Sequence, residues 1–485
     1  MANFITPDIG MDFLRLDAHG QLEALNARRI SALDALNLAI ARANAVGGTL
    51  NAVVARRLDP AREEARRIDE ARSLGQPMGR LAGLPMTIKD SLDIEDLPAS
   101  AGRASHLARK SRDAGCVRRV RAEGAIVWGQ TNTPIDAADW QTFNPLYGAT
   151  NNPWNLERTP GGSSGGSAVA LSAGISALEI GADIAGSLRI PAAFCGVFAH
   201  KPTFGAISQA GLAPPQTLDL DMAVVGPMAR SARDLELLFS ILSQHPFTPA
   251  PPRNLAGVRI GLWLDEPGFE LDPEVRRVIE RFAEQLRGQG AIVESASAPV
   301  AGSEMLEIYT GLLYPLLWAK APAVEMALYE ALRGPAKLAR RLGAGPLSWA
   351  QGVLAATARY REWRAVEERR AARIETIDAF FTRFDVLLAP CAPTPAFEHN
   401  HGPRSTRKLK LSTGRRIDYL QLMGWPALAT VWGLPATAIP AGLTDDGLPV
   451  GAQLIGPRDG DARTLGVAHA IDERLGPFPA PPRLP

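Results

Sequence analysis

At 485 residues the chain has room for about two or three ordinary domains or one large α/β unit, and 46% hydrophobic against 21% charged residues is an ordinary globular composition. The 52 Lys plus Arg nearly cancel the 51 Asp plus Glu, so no net field draws the protein to nucleic acid or to an anionic membrane. Cys116, Cys195 and Cys391, an odd number at unrelated spacings, indicate neither a disulfide framework nor a zinc site. The opening MANFITPDIGMDFLRLD has no basic or apolar leader pattern, and no stretch approaches a membrane-spanning apolar run, so a soluble, cytoplasmic chain is expected.

In chain order, the first elements read as helices: Gln21 to Ala27, a run from Ser31 to Ala45, and the Arg- and Glu-rich segment Pro60 to Leu74. Ser31 is placed to cap the second, with Asp34 three residues on. Gly83 to Asp90 is a short apolar run that reaches Lys89, as a buried strand would if it delivered an amine to its tip. Taken alone, that lysine also fits a side chain snorkelling to the surface. Ala125 to Trp128 is strand-like. Next comes Thr159-Pro160-Gly161-Gly162-Ser163-Ser164-Gly165-Gly166-Ser167. An isolated Gly/Ser run reads as a flexible linker, but this one continues from Ser167 to Ile184 as SAVALSAGISALEIGADI, small and apolar almost throughout. The glycines therefore border a core, where glycine marks positive φ or backbone approached closely by another group.

Gly186-Ser187-Leu188-Arg189-Ile190-Pro191 follows, then a strand pattern at Val258 to Trp263. A helix starting at Asp272 carries Val275, Val278, Ile279 and Phe282, and Ala291 to Val293 is again strand-like. Met305 to Phe381 is helical and irregular, rich in Ala, Arg and Leu, before Phe384 to Pro390 resumes as a strand. The arginine clusters Arg118-Arg119 with Arg121, Arg340-Arg341 and Arg369-Arg370 fit solvated helix faces. Pro477 to Pro485 reads as an extended tail. Strands alternating with helices imply an α/β sheet with helices on both faces.

Lys89, Ser163 and Ser187, in that order and with glycines between them, resemble the amidase signature family, whose Ser-cisSer-Lys triad hydrolyses amides and related acyl compounds. The resemblance extends through Gly129 to Pro134, Gly148 to Asn155, Pro191 to Val197 running into Lys201-Pro202-Thr203, Gly226 to Ser231, and Gly447 to Gly456. It is weak in the helical stretch that includes Met305 to Phe381. It implies a single large domain with a central mixed, twisted β-sheet flanked by helices on both faces. Within it, residues 1–75 would form an N-terminal helical region packed on the core and 76–300 the core with the triad. Residues 301–383 would form a variable helical substrate cap, and 384–485 the rest of the core and the tail.

The same resemblance assigns the nucleophile to Ser187, the bridging relay serine to Ser163 after a cis peptide, and the base to Lys89. A lysine acts as a base only when neutral, which requires burial to pull its pKa far below the ordinary value of about 10.4. Backbone N–H groups of Ile184, Ala185, Gly186 and Ser187 would form the oxyanion hole, and Ser164, Trp140, Phe143 and Ile135 would contact substrate. No metal or cofactor is expected. The implied substrate is a small amide, apolar or aromatic, with esters or carbamates also open; no nucleic-acid or membrane partner is expected, and a homodimer is left open.

Four positions depart from the family pattern. Ala185-Gly186 stands for two glycines before the nucleophile, His200 for a small or aliphatic residue before Lys201, Ile135 for an acidic residue, and Gln130 for a frequent lysine. A rival reading is the α/β-hydrolase elbow, since Gly161 to Gly165 and Gly162 to Gly166 both satisfy Gly-x-Ser-x-Gly. That elbow must follow a buried strand, whereas Asn151 to Pro160 is polar and proline-broken. His399 and His401 look like a metal pair but have no third ligand nearby in sequence. Two further alternatives remain: the amidase subunit of a glutamine-dependent aminoacyl-tRNA transamidation complex, and a non-catalytic binding scaffold. The subunit typically carries Ser-Ser-Leu-Asp-Gln before Gly-Pro. Here that segment reads Asp219-Leu220-Asp221-Met222-Ala223-Val224-Val225-Gly226-Pro227.

Overall fold

Capping decides where the N-terminal helices begin in the computed structural model, which describes residues 12–109, 111–212, 218–249 and 254–482. Asp17 accepts from the Gly20 N–H and starts α1 (Ala18–Asn26) ahead of Gln21. Ser31 accepts from the Asp34 N–H at 3.0 Å and starts α2 (Ala32–Leu50), as its spacing to Asp34 predicts. After β1 (Val53–Arg56), helix α3 (Leu58–Ser73) is amphipathic and buries Ala61 and Ala65.

The expected strand at Lys89 is β2 (Pro85–Lys89), fully buried; β3 (Ile126–Thr131) follows α4 (Gly115–Ala122), and β4 (Phe143–Asn144) pairs with β5 (Gly148–Ala149). The apolar run after the Gly/Ser stretch divides into α5 (Gly165–Ser172) and β6 (Leu178–Asp183), and α6 (Arg189–Cys195) begins just past Ser187. Then come β7 (Phe198–Lys201), β8 (Val224–Ala229), α7 (Ala232–Leu242), β9 (Arg259–Leu262), α8 (Pro273–Gly288) and β10 (Ile292–Ser295). Asp272 caps α8, accepting from the Glu274 N–H at 2.8 Å, with Pro273 at the first helical position. Helix α9 (Gly302–Trp318) opens a run of six helices that ends at Arg383; the remaining strands are β11 (Val386–Pro390), the small hairpin β12 (Lys408–Lys410) and β13 (Arg416–Asp418), β14 (Ala436–Leu443) and β15 (Pro449–Ile455).

Eight strands form the main sheet in the order β10-β9-β11-β15-β14-β7-β8-β6. The three at one end are parallel and the other pairings antiparallel, so the sheet is mixed. Alternation sets its two faces: Val386 and Leu388 enter one hydrophobic cluster, Leu387 and Ala389 the other. Helices α7 and α8 cover the first face; α5, α6 and α9 cover the second.

The lysine strand does not belong to this sheet. It pairs in parallel with β3 in a separate three-stranded sheet, β1-β3-β2, with Lys89 opposite Thr131, and packs beside the edge strand β6. One hydrophobic cluster draws residues from all four expected ranges, from Phe13 and Ile126 to Met305 and Leu387, so the chain forms a single domain. Among the described residues no helix is long and apolar enough to cross a membrane.

Candidate active site

Three sequence segments meet where β2 and β6 pack together. Lys89, at the end of β2, is fully buried and donates from Nζ to Ser163 Oγ at 2.7 Å and to Ser164 Oγ at 3.0 Å. Burial pulls its pKa down to about 7, against a smaller upward pull from the Asp183 carboxylate. At neutral pH a large share of this amine is therefore uncharged. Ser163 follows a cis peptide bond from Gly162, and its carbonyl accepts from the Thr133 hydroxyl at 3.0 Å.

The Gly/Ser run is a packed turn. A Cβ on Gly162 would lie 2.6 Å from the Asp139 carbonyl, and one on Gly166 would lie 2.4 Å from the Asn132 nitrogen. These glycines are required by close backbone approach. Ser164, expected as a substrate contact, has no exposed surface; besides the lysine amine, its hydroxyl meets the Ala182 carbonyl at 3.3 Å, and its N–H donates to the Ser187 carbonyl at 3.1 Å. It ties the lysine to β6 and to the Ser187 loop.

That loop is wound around a carboxylate. Asp183, the last residue of β6, accepts from the Gly186 N–H at 2.8 Å, the Leu188 N–H at 3.1 Å, and Arg189 Nε and Nη2, both at 3.1 Å. Burial alone would raise the pKa of Asp183, but the Arg189 charge and these hydrogen bonds hold it below the usual carboxylate value. Arg189 is itself fully buried and donates onward to Gln453 and Thr430, each at 2.8 Å, which ties the loop to the C-terminal part of the domain. Gly186 has φ +86°, while Ala185 is not in the left-handed region, so its Cβ is accommodated in the place where the family pattern has glycine.

The expected set of oxyanion donors is altered by this arrangement. The Gly186 N–H is committed to Asp183, whereas those of Ile184, Ala185 and Ser187 meet no protein acceptor among the described residues. Ser187 Oγ likewise makes no hydrogen bond among the described residues, and its side chain lies at the edge of the buried region. Trp140 is brought to the loop, its indole N–H donating to the Ala185 carbonyl at 2.7 Å. Phe143 instead stacks on His401, with ring centroids 4.1 Å apart, beneath the Arg407 guanidinium. Ile135 lies in a short 3-10 turn and is partly exposed. His399 and His401 pack ring to ring at 5.5 Å. Of the departures, His200 is buried between Thr437 and Asp461 on the far side of β7, and Gln130 donates to the Leu92 carbonyl at 3.1 Å.

Sequence reasoning gave no role to Asp183, Arg189 or Tyr309, whose hydroxyl donates to the Ile184 carbonyl at 2.6 Å. A signal was present for the first two: an acid and an arginine flanking Ser187 in an apolar stretch must be partnered once buried. Tyr309 carried none.

The Amidase family model matches residues 34–465 of the chain. Similar curated proteins include the A subunit of the glutamyl-tRNA(Gln) amidotransferase of Moorella thermoacetica, 32% identical over 96% of this chain and 97% of that protein. Among solved structures, an amidase is 30% identical with a TM-score of 0.78, covering 95% of this chain and 100% of its own. A bacterial aryl acylamidase of the amidase signature enzymes is 25% identical with a TM-score of 0.79, covering 96% of both chains.

Proposed function

The chain belongs to the amidase signature family, and on that premise we propose that it cleaves the C–N bond of a carboxamide through an acyl-enzyme on Ser187. The observation that carries this reading is the fully buried Lys89 amine, 2.7 Å from the Ser163 hydroxyl and with its pKa pulled down to about 7. A neutral amine in that place can take a proton from Ser163 as Ser163 takes one from Ser187. Ser187 Oγ then attacks the carbonyl carbon. The negative charge that develops on the carbonyl oxygen would be met by the N–H groups of Ile184, Ala185 and Ser187, which have no protein acceptor among the described residues. The proton returns through Ser163 to the departing nitrogen, the C–N bond breaks, and water later hydrolyses the ester on Ser187 by the same relay.

On substrate, curated relatives support the amidotransferase reading most strongly. The A subunits of glutamyl-tRNA(Gln) amidotransferases match nearly the whole chain at 32% identity. In that reading the amide is that of glutamine, and the chain works in a transamidation complex.

A stand-alone amidase on apolar or aromatic amides is favoured by a separate observation. Free glutamine carries an ammonium and a carboxylate, whose recognition calls for unpaired opposite charges. Two charged groups beside this loop and Trp140 are already matched, Arg189 with Asp183 and Arg407 with Asp139 at 2.6 Å. The altered segment from Asp219 to Pro227 points the same way, as does the likeness to the aryl acylamidase. Comparing kcat/KM for glutamine with that for an acetanilide separates the two. A clear preference for glutamine selects the amidotransferase reading, and a clear preference for the anilide selects the stand-alone enzyme.

A further inference from the structure

Two successive carbonyls in the loop before Ser187 are held by side chains from outside it. Tyr309, fully buried on α9, donates its hydroxyl to the Ile184 carbonyl at 2.6 Å. The Trp140 indole donates to the Ala185 carbonyl at 2.7 Å. In a planar trans peptide, the C=O of one residue and the N–H of the next point in opposite directions. Anchoring the Ile184 carbonyl on α9 therefore turns the Ala185 N–H to the other side of the loop, where no protein group accepts from it among the described residues. The next peptide is fixed from both ends, with Trp140 on its carbonyl and Asp183 on its N–H at 2.8 Å.

We propose that Tyr309 is a positioning residue for the oxyanion hole, aiming the Ala185 N–H at the carbonyl oxygen of the substrate. This rests on the reading of Ser187 as nucleophile. The Tyr309 hydroxyl acts through the Ile184–Ala185 peptide and touches neither the relay nor the reacting atoms. Burial raises its pKa, with the nearby Asp183 charge adding to the rise, so the group remains a donor throughout the working range. The arrangement compensates for Ala185 standing where the family pattern has glycine: a peptide that has lost conformational freedom on one side is locked on the other by a donor from the helical segment. That segment, whose sequence resembles the family least, thereby reaches the chemistry at one buried point.

The test is Tyr309→Phe, which keeps the ring and removes the donor. Losing a direct oxyanion donor costs about 10²- to 10³-fold in rate, and a donor left in place but poorly aimed costs less. The expected result is a fall in kcat of about 10- to 100-fold with KM within about twofold. Affinity for phenylboronic acid, which adds to the serine and places an oxygen in the hole, falls by a similar factor. Incorporating p-aminophenylalanine at position 309, which still donates to the carbonyl, restores most of both. A raised KM at unchanged kcat, or a loss that p-aminophenylalanine does not restore, overturns the proposal. Should Tyr309→Phe fail to show a cooperative thermal transition, 4-fluorophenylalanine at position 309 fills the space of the hydroxyl without donating; kcat and boronate affinity falling together supports the proposal, and kcat falling alone or neither falling overturns it. Failure of the Ser187 reading looks different, because wild-type protein would then escape labelling at Ser187 by a fluorophosphonate.

Discussion

The surroundings of Lys89 and the helices from Gly302 to Arg383 are built on opposite terms. Around Lys89 the polar side chains are buried and most are partnered, glycines are set by contacts that leave no space for a Cβ, and the Asp183 carboxylate is closed by Arg189. In the helical segment two helices behave that way: α9, burying Met305, Leu306, Ile308, Tyr309, Leu312 and Leu313, and the last one, Ile374–Arg383, which adds Ile377 and Phe381 to the same core. The helices between them leave Val324, Leu328, Leu342 and Tyr360 largely exposed, and a small separate cluster forms around Ala336, Ala350 and Val353. A boundary drawn by sequence resemblance at residue 301 thus passes in front of α9, although that helix packs in the main core. Chemistry at the triad demands fixed geometry. A surrounding wall needs only shape, so its sequence is free to drift.

The comparison breaks most sharply at the nucleophile. Ser187→Ala should lower amide turnover by at least about 10⁴-fold with the thermal transition preserved, since serine nucleophiles act as part of a unit. A variant that turns over like the wild type would remove the acyl-enzyme from the mechanism. Lys89→Ala should cost about 10³-fold on an anilide and distinctly less on a p-nitrophenyl ester, because a departing amine must be protonated and a phenolate need not be. Equal losses on both substrates would count against the relay. In the wild type, a lysine with its pKa lowered to about 7 is increasingly protonated as pH falls, and the protonated form cannot accept a proton. The rate on amides should therefore rise with pH along an acid limb centred near pH 7, and Lys89→Ala should lack that limb.

A smaller effect is expected at Gly166, where an added Cβ would lie 2.4 Å from the Asn132 nitrogen and 2.6 Å from its carbonyl oxygen. Backbone cannot yield as a flexible side-chain end can, so Gly166→Ala should cost about 1–3 kcal/mol of stability. Gly334, where an added Cβ would meet nothing within 4 Å, should tolerate alanine without loss. Similar melting temperatures for the two variants would undo the contrast between a constrained core and a permissive segment.

Where side chains repeat with a clear period, the fold was legible in sequence: the capped start at Ser31, the buried run ending at Lys89, and the Asp272 helix all appear where their patterns place them. What escaped was relational. Nothing local to Pro85–Lys89 says that its strand pairs with β3 outside the main sheet, because hydrogen-bond partners are chosen across the chain. The Ser187 loop shows the same limit. Its glycine and serine could be read as a motif, but the commitment of the Gly186 N–H to Asp183 follows from how the loop curls back on β6. Tyr309, far away in a weakly matching segment, has no periodicity or spacing that would link it to Ile184.

The smallest expected effect lies in the helical segment itself and tests whether it sets substrate choice. Leu347 is half-buried against the main hydrophobic cluster, whereas Leu342, a few residues earlier, is 79% exposed. Truncating an exposed leucine removes little buried surface, so Leu342→Ala should change stability by less than about 0.5 kcal/mol and leave all kinetic constants as they were. Truncating Leu347 opens space where the segment meets the core. Removing apolar volume from a pocket wall shifts discrimination between substrates by about 10-fold or more per contact, and a residue that only adjoins the wall should give less. The ratio of kcat/KM for an anilide to that for glutamine should therefore move about three- to tenfold in Leu347→Ala, with fluorophosphonate labelling of Ser187 unchanged. An unchanged ratio beside an unchanged labelling rate would place specificity in the core and leave only α9 of this segment with a part in the reaction.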